Sequence, residues 1–332
     1  MITMINRDML LNALRNVKRY DRNPILSPDG IFASYYGLYN GDVIYHNGVF
    51  HAVLRCEMLT ENGKRSSAVG HYISRDGYNF KPSPKNPIVY KEGHSIEDPR
   101  IFRHRGSFYI ASVQVDPEIN KQTLHLTRTR DFESFDFLGT LPLREGEPYS
   151  DFKGIRSFVP VVDERKEPVK INGNHFAYCY HTLPDGTGVM FCFTIGDIND
   201  LRSYSLASEE PVMTPRPGYF DGNLVEPGPT PILTDRSILM VYAGENIYRG
   251  EYCAGWVEFD RREPVRIVDR CKKAILTPQE WYETELNLHQ RGRVGRGTIF
   301  PSGICLAERN LFLYYGGADR NFAVATFGLK QS

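Results

Sequence analysis

His46-Asn47-Gly48-Val49-Phe50-His51-Ala52-Val53-Leu54-Arg55 reads as a polar turn running directly into an apolar strand. The same pattern returns at Arg105-Gly106-Ser107-Phe108-Tyr109-Ile110-Ala111 and at Ile171-Asn172-Gly173-Asn174-His175-Phe176-Ala177-Tyr178. It returns again at Thr234-Asp235-Arg236-Ser237-Ile238-Leu239-Met240-Val241-Tyr242 and at Ala307-Glu308-Arg309-Asn310-Leu311-Phe312-Leu313-Tyr314-Tyr315. With Phe50, Phe108, Phe176, Ile238 and Leu311 as equivalent points, the spacings are 58, 68, 62 and 73 residues. Four short strands with their loops fill such a length, so the sequence predicts an all-β chain forming a single five-bladed β-propeller. Closing a ring would hide strand edges that no unit could cover alone. A β-sandwich with long loops is the alternative architecture.

The second half of a unit is also recognisable in two places. Ser74-Arg75-Asp76-Gly77-Tyr78-Asn79-Phe80 and Thr127-Arg128-Thr129-Arg130-Asp131-Phe132-Glu133-Ser134-Phe135 both run strand, Asp turn, aromatic. The Asp side chain can bond its own turn backbone, and the aromatic can pack between units. The 39 Tyr and Phe and 50 Gly and Pro among 332 residues suit many short strands joined by tight turns. No linker or low-complexity run divides the chain, so residues 1–332 are expected to form one catalytic domain, with residues 1–20 as an N-terminal arm or short helix.

Lys plus Arg and Asp plus Glu are equal at 40 each, which gives no general pull toward nucleic acid. Arg291, Arg293 and Arg296 form the one clustered basic segment, read as a solvated loop. No secretion signal opens the sequence and no stretch is apolar enough for a membrane helix. The six cysteines are scattered among apolar neighbours, as reduced thiols of a cytoplasmic protein would be. No HExxH, phosphate loop or GxSxG elbow is present, so neither a metal nor a cofactor is expected.

Ile96-Glu97-Asp98-Pro99-Arg100 stands before the second recurring strand. Pro99 restricts the residue before it, so an extended Asp98 would be held at a strand mouth, with Arg100 pairing to a carboxylate nearby. Together with Asn23-Pro24-Ile25-Leu26, Arg55, Ser74-Arg75-Asp76-Gly77, Trp281-Tyr282-Glu283 and Tyr314-Tyr315-Gly316-Gly317-Ala318-Asp319, this motif resembles glycoside hydrolase family 130, the mannoside phosphorylases and β-1,2-mannosidases. The resemblance implies that a mannose-containing oligosaccharide binds in an axial funnel. It also implies that Asp98 matches the family's acid, Arg55 a substrate-contacting arginine, and Asp319 a carboxylate bonding the mannosyl ring. His181, Arg100, Tyr36 and Trp281 are further substrate-binding candidates.

The family contains both phosphorolytic and hydrolytic members. Phosphate is already nucleophilic and needs a basic cradle, whereas water needs a carboxylate base facing the acid. Tyr180-His181-Thr182-Leu183-Pro184 matches the phosphorylases' His-Arg-Pro element only at His181, and Phe152-Lys153-Gly154-Ile155-Arg156 matches their Lys-Asp segment loosely, so a phosphate site is incomplete unless Lys153, Arg156 or Arg293 supplies its charges. Where phosphorylases place a Gly-and-Pro turn, this chain has Glu226 in Leu224-Val225-Glu226-Pro227-Gly228. Glu283 and Glu285 follow. These features predict an inverting hydrolase of β-mannosides, most simply β-1,2-linked, with Asp98 on the sugar and Glu226 and Glu283 as acid and base in unassigned order. The alternatives are an inverting phosphorylase, with inorganic phosphate as co-substrate and mannose 1-phosphate as product, and a noncatalytic glycan-binding propeller.

Overall fold

The computed structural model describes residues 4–28, 35–59, 65–116, 118, 121–141, 154–246, 250–284 and 297–329. All five recurring segments form strands: Val49–Leu59, Ser107–Asp116, Asn174–Thr182, Ser237–Asn246 and Asn310–Gly317. Each is the middle of an antiparallel set, with Gly37–His46, Ser95–His104, Arg156–Pro160, Leu224–Pro227 and Gly297–Ala307 pairing on the preceding side. Four of the turns leading into the recurring strands place two residues at positive φ, Asn47-Gly48, Arg105-Gly106, Asn172-Gly173 and Glu308-Arg309. Two such residues twist a tight turn with the same hand as its strands. Asp76 Oδ1 accepts from the Tyr78 and Asn79 amides at 2.9 and 2.8 Å, and Asp131 Oδ1 from those of Glu133 and Ser134 at 2.8 and 2.9 Å. The Phe132 ring then stacks on His51 and His71 of the preceding unit, at 4.4 and 4.5 Å.

The expected closed five-bladed propeller is not what the ladders form. Among the described residues there are three separate sheets, and none closes on itself. The first two units are separate four-stranded sheets. The remaining units merge into one 14-stranded sheet. Short parallel pairings cause the merger: Gly188 opposes Leu224, and Glu251 and Tyr252 oppose Gly297 and Thr298. Main-chain groups at these strand ends thus satisfy one another across what side-chain periodicity reads as unit boundaries. At one end of the merged sheet the short strand Lys18–Arg19 pairs with Asn321–Gly328, placing Lys18 opposite Thr326.

The N-terminal region contains a helix, Arg7–Arg15, begun by Asn6, whose side chain accepts from the Met9 amide at 3.0 Å. Its buried Leu10, Leu11, Ala13 and Leu14 join the main apolar core with Tyr178, Tyr242 and Trp256. No helix among the described residues is long and apolar enough to cross a membrane. All six cysteines are buried and free.

Candidate active site

The first strands of the units share a local device. Asn40, Asp98 and Ser157 each have φ near +48°, at register breaks between Tyr39 and Asp42, Glu97 and Arg100, and Arg156 and Val159. A fourth break, between Pro301 and Gly303, contains Ser302. Such bulges re-aim a side chain out of the ordinary strand alternation. Asp98 is therefore left-handed rather than extended, and its carboxylate is buried, with 3% of the residue exposed.

Asp98 is surrounded by donors. Asn40 Nδ2 reaches Oδ1 at 3.1 Å, Arg156 Nη2 reaches Oδ2 at 3.0 Å, and Arg55 Nη1 lies 3.4 Å from Oδ1. A Cβ on Gly316 would lie 2.2 Å from Asn40 Oδ1, so the glycine makes room for the amide that steers Asp98. Burial pushes the Asp98 pKa up, but Arg55, Arg156, Arg100 and Asn40 outweigh it and hold the group well below the usual carboxylate range. An acid held ionised this firmly is suited to binding sugar hydroxyls rather than supplying a proton.

Arg100 does not pair with a carboxylate as expected. Its fully buried guanidinium donates to main-chain carbonyls, Gly228 at 2.8 Å, Asp98 and Pro99 at 3.2 Å and Asn40 at 3.4 Å, and so ties three first strands together. Arg55 lies over the Tyr39 ring at 5.1 Å and donates to Ser67 Oγ at 2.9 Å.

Glu226 belongs to the same neighbourhood. It is 7% exposed, and Ser157 Oγ donates to it at 2.6 Å. Burial raises its pKa, Arg156 and the Ser157 bond oppose the rise, and the Asp98 charge adds to it. Two carboxyl groups thus have their affinities for a proton pushed apart, Asp98 down and Glu226 up, as an acid and a charged binding group require. Tyr252 lies within electrostatic reach of Glu226, Glu245, Asp319 and Tyr180, and Tyr39 within reach of Asp319 and Glu97. Asp319, at φ +49° beside Ala318, therefore approaches the group from another unit.

Glu283 lies in different surroundings. Arg19 donates to Oε1 at 2.7 Å and to Oε2 at 3.0 Å, and the Tyr315 hydroxyl donates to Oε1 at 2.8 Å. The amides of Gln279 and Glu280 reach Oε2 at 2.9 and 3.1 Å. Both oxygens are thus engaged in anchoring the short helix Trp281–Thr284 to the start of the chain. Neither Arg55 nor Arg100 is among these partners. We expect Arg19→Gln to lower stability by about 2 kcal/mol, measured by denaturant titration, with KM for substrate unchanged.

The other candidates are spread more widely. His181 is buried, with Nδ1 3.0 Å from the Gly154 carbonyl, and burial lowers its pKa. Tyr36 lies under the Arg65 guanidinium at 4.8 Å, and Trp281 is 56% exposed, edge-on to Tyr282. Lys153, Glu285, Arg291, Arg293 and Arg296 lie outside the described residues. Sequence reading did not single out Asn40, Glu97, Ser157, Tyr180 or Tyr252, and named Arg156 only as one of three residues, with Lys153 and Arg293, able to supply charge to a phosphate site. For Asn40 and Ser157 the register breaks supply the missing signal, since a small or polar residue sits at the break in four of the five first strands, whereas Tyr180 and Tyr252 lie outside the first strands.

Known proteins resemble this chain over nearly its whole length. The profile of glycoside hydrolase family 130, described as β-1,4-mannooligosaccharide phosphorylase, matches residues 9–331. Over 326 residues the chain is 26% identical to the 1,2-β-oligomannan phosphorylase of Thermoanaerobacter sp. (strain X514), covering 95% of this chain and 98% of that protein. It is also 26% identical over 261 residues to the β-1,2-mannobiose phosphorylase of Listeria innocua serovar 6a, covering 75% of this chain and 63% of that protein. A solved structure from Bacteroides thetaiotaomicron VPI-5482, provisionally assigned as a glycosidase, superposes with a TM-score of 0.80 at 26% identity, covering 96% of this chain and 98% of that one. The chain belongs to glycoside hydrolase family 130.

Proposed function

We propose that this enzyme cleaves β-1,2-linked mannosides with inversion, by phosphorolysis, releasing α-mannose 1-phosphate. The observation that carries this reading is the commitment of Glu283 to Arg19, Tyr315 and two amides. The expected two-glutamate hydrolysis needs one carboxylate as base, and that role is incompatible with this set of bonds. One carboxyl whose pKa is raised by burial, Glu226, remains in the neighbourhood of Asp98. A single acid suffices when the nucleophile arrives already charged. The phosphorylase names of the two curated relatives point the same way.

Asp98, held ionised, binds a mannosyl hydroxyl, and Asp319 bonds the ring from a second unit. Glu226 gives its proton to the departing glycosidic oxygen. Phosphate attacks the anomeric carbon from the opposite face, so the β bond is replaced by an α bond. Arg156 offers a donor for it, because its Nε is buried without a hydrogen-bond partner among the described residues.

Hydrolysis is the second reading, favoured by Glu226 itself, which stands where the family's phosphorylases have a Gly-and-Pro turn. Glu245, beside Tyr252 with Glu226, would then be the base. A β-1,2-mannobiose assay with and without inorganic phosphate separates the two. Phosphorolysis requires strict phosphate dependence and α-mannose 1-phosphate by NMR, and an equal rate of mannose release without phosphate would replace it by hydrolysis.

A further inference from the structure

Asp98 is not the only carboxylate on the arginine pair. Glu97 Oε2 lies 3.0 Å from Arg55 Nη1 and 2.9 Å from Arg156 Nη2, so one oxygen bridges both guanidinium groups. Its other oxygen accepts from Ser95 Oγ at 2.9 Å, and Ser95 Oγ in turn accepts from the Ser67 amide at 3.0 Å. Arg55 Nη2 also lies 3.6 Å from Glu57, which Arg65 approaches at 3.4 Å, so three arginines and three carboxylates balance in charge. Glu97 and Asp98 differ in how tightly they are enclosed, since the Glu97 side chain is 12% exposed and that of Asp98 4%. Asp98 also has the Asn40 amide, whereas Glu97 is steered by a single hydroxyl.

We propose that Glu97 is a built-in competitor for phosphate, a carboxylate that holds Arg55 and Arg156 together as a fork and gives way when a phosphate oxygen takes its place. This rests on the phosphorolysis reading for its use in turnover. The bridge keeps two like charges converged in the free enzyme. It also weakens phosphate binding, because each phosphate oxygen must displace an existing partner and approaches a negative charge. Arg156 Nε, buried and unpartnered among the described residues, adds a donor that Glu97 does not use. Glu97 thus sets phosphate affinity as a positioning residue and takes no part in bond making.

The test is calorimetric titration of inorganic phosphate into the full-length protein and its variants. Glu97→Gln is expected to bind phosphate about tenfold more tightly, with KM for phosphate falling in parallel, while Glu97→Asp, which keeps the charge, stays closer to the wild type. Ser95→Ala, which leaves the charge but removes its steering hydroxyl, is expected to tighten binding a few-fold and serves if Glu97→Gln misfolds. Equal or weaker phosphate binding by Glu97→Gln, or by Ser95→Ala in its place, overturns the proposal. Turnover of the wild type without phosphate would sink the phosphorolysis reading alone, since the titrations still decide whether Glu97 competes.

Discussion

Glu226→Gln is expected to lower kcat on β-1,2-mannobiose by about a thousandfold, within the range that loss of a positioned acid produces. The amide keeps the size of the side chain and can still accept from Ser157, so the fold should survive. The pH dependence gives an independent check. Wild-type kcat/KM should fall on the alkaline side as the raised Glu226 pKa is passed, and the residual activity of the variant should lack that limb. Wild-type stability should fall in the same direction. A group whose folded pKa lies above its unfolded value stabilises fully below the unfolded pKa and loses that contribution as pH rises through the folded one. Glutamine does not titrate, so the melting temperature of Glu226→Gln minus that of wild type should become more positive with rising pH. A variant with wild-type kcat would remove Glu226 from the reaction under either choice of nucleophile.

The second large effect concerns stability. Asp42 is fully buried, and its carboxylate receives the Lys166 ammonium together with the amides of Val43 at 2.8 Å and Ile101 at 3.1 Å. Burial lowers the Lys166 pKa and the Asp42 charge opposes that fall. Asp42→Asn leaves an enclosed ammonium facing a neutral amide. Removing one member of such a pair costs about 3 to 5 kcal/mol, and the melting temperature should drop on the order of 5 to 10 °C. Adding Lys166→Met to Asp42→Asn should recover part of the loss, because no unpaired charge remains. Equal stability of the single and double variants would mean that the pair contributes little beyond its hydrogen bonds.

The parts of this molecule that were legible in the sequence are those decided within a few residues. The turn before each recurring strand, the Asp76 and Asp131 turns and the aromatic Phe132 all follow from local backbone chemistry. The merged sheet was not legible, because its parallel pairings at Gly188 and Gly297 join main-chain groups and leave no mark on side-chain periodicity. Asp98 could be singled out from its place before Pro99, whereas Glu226 was singled out only through the family resemblance. The role of Glu283 could not be read, since its partner Arg19 lies 264 positions away. Arg156 could be named as a charge for phosphate but not paired, because its partners Glu97 and Asp98 come from another unit and nothing around residue 156 announces them.

The pairing of Lys18–Arg19 with Asn321–Gly328 carries a consequence for how the protein is made. Arg19 meets Ala325 across the ladder and Glu283 through its side chain, so neither partner exists when it leaves the ribosome. At ordinary synthesis rates the interval is roughly 15 to 60 s. Throughout that time the nascent chain carries an arginine awaiting its buried counter-charge and an edge strand awaiting its neighbour. The first two sheets draw their ladders from nearby sequence and can form during translation. The merged sheet can be completed only after the strand Asn321–Gly328 has emerged, making its final step one of high contact order.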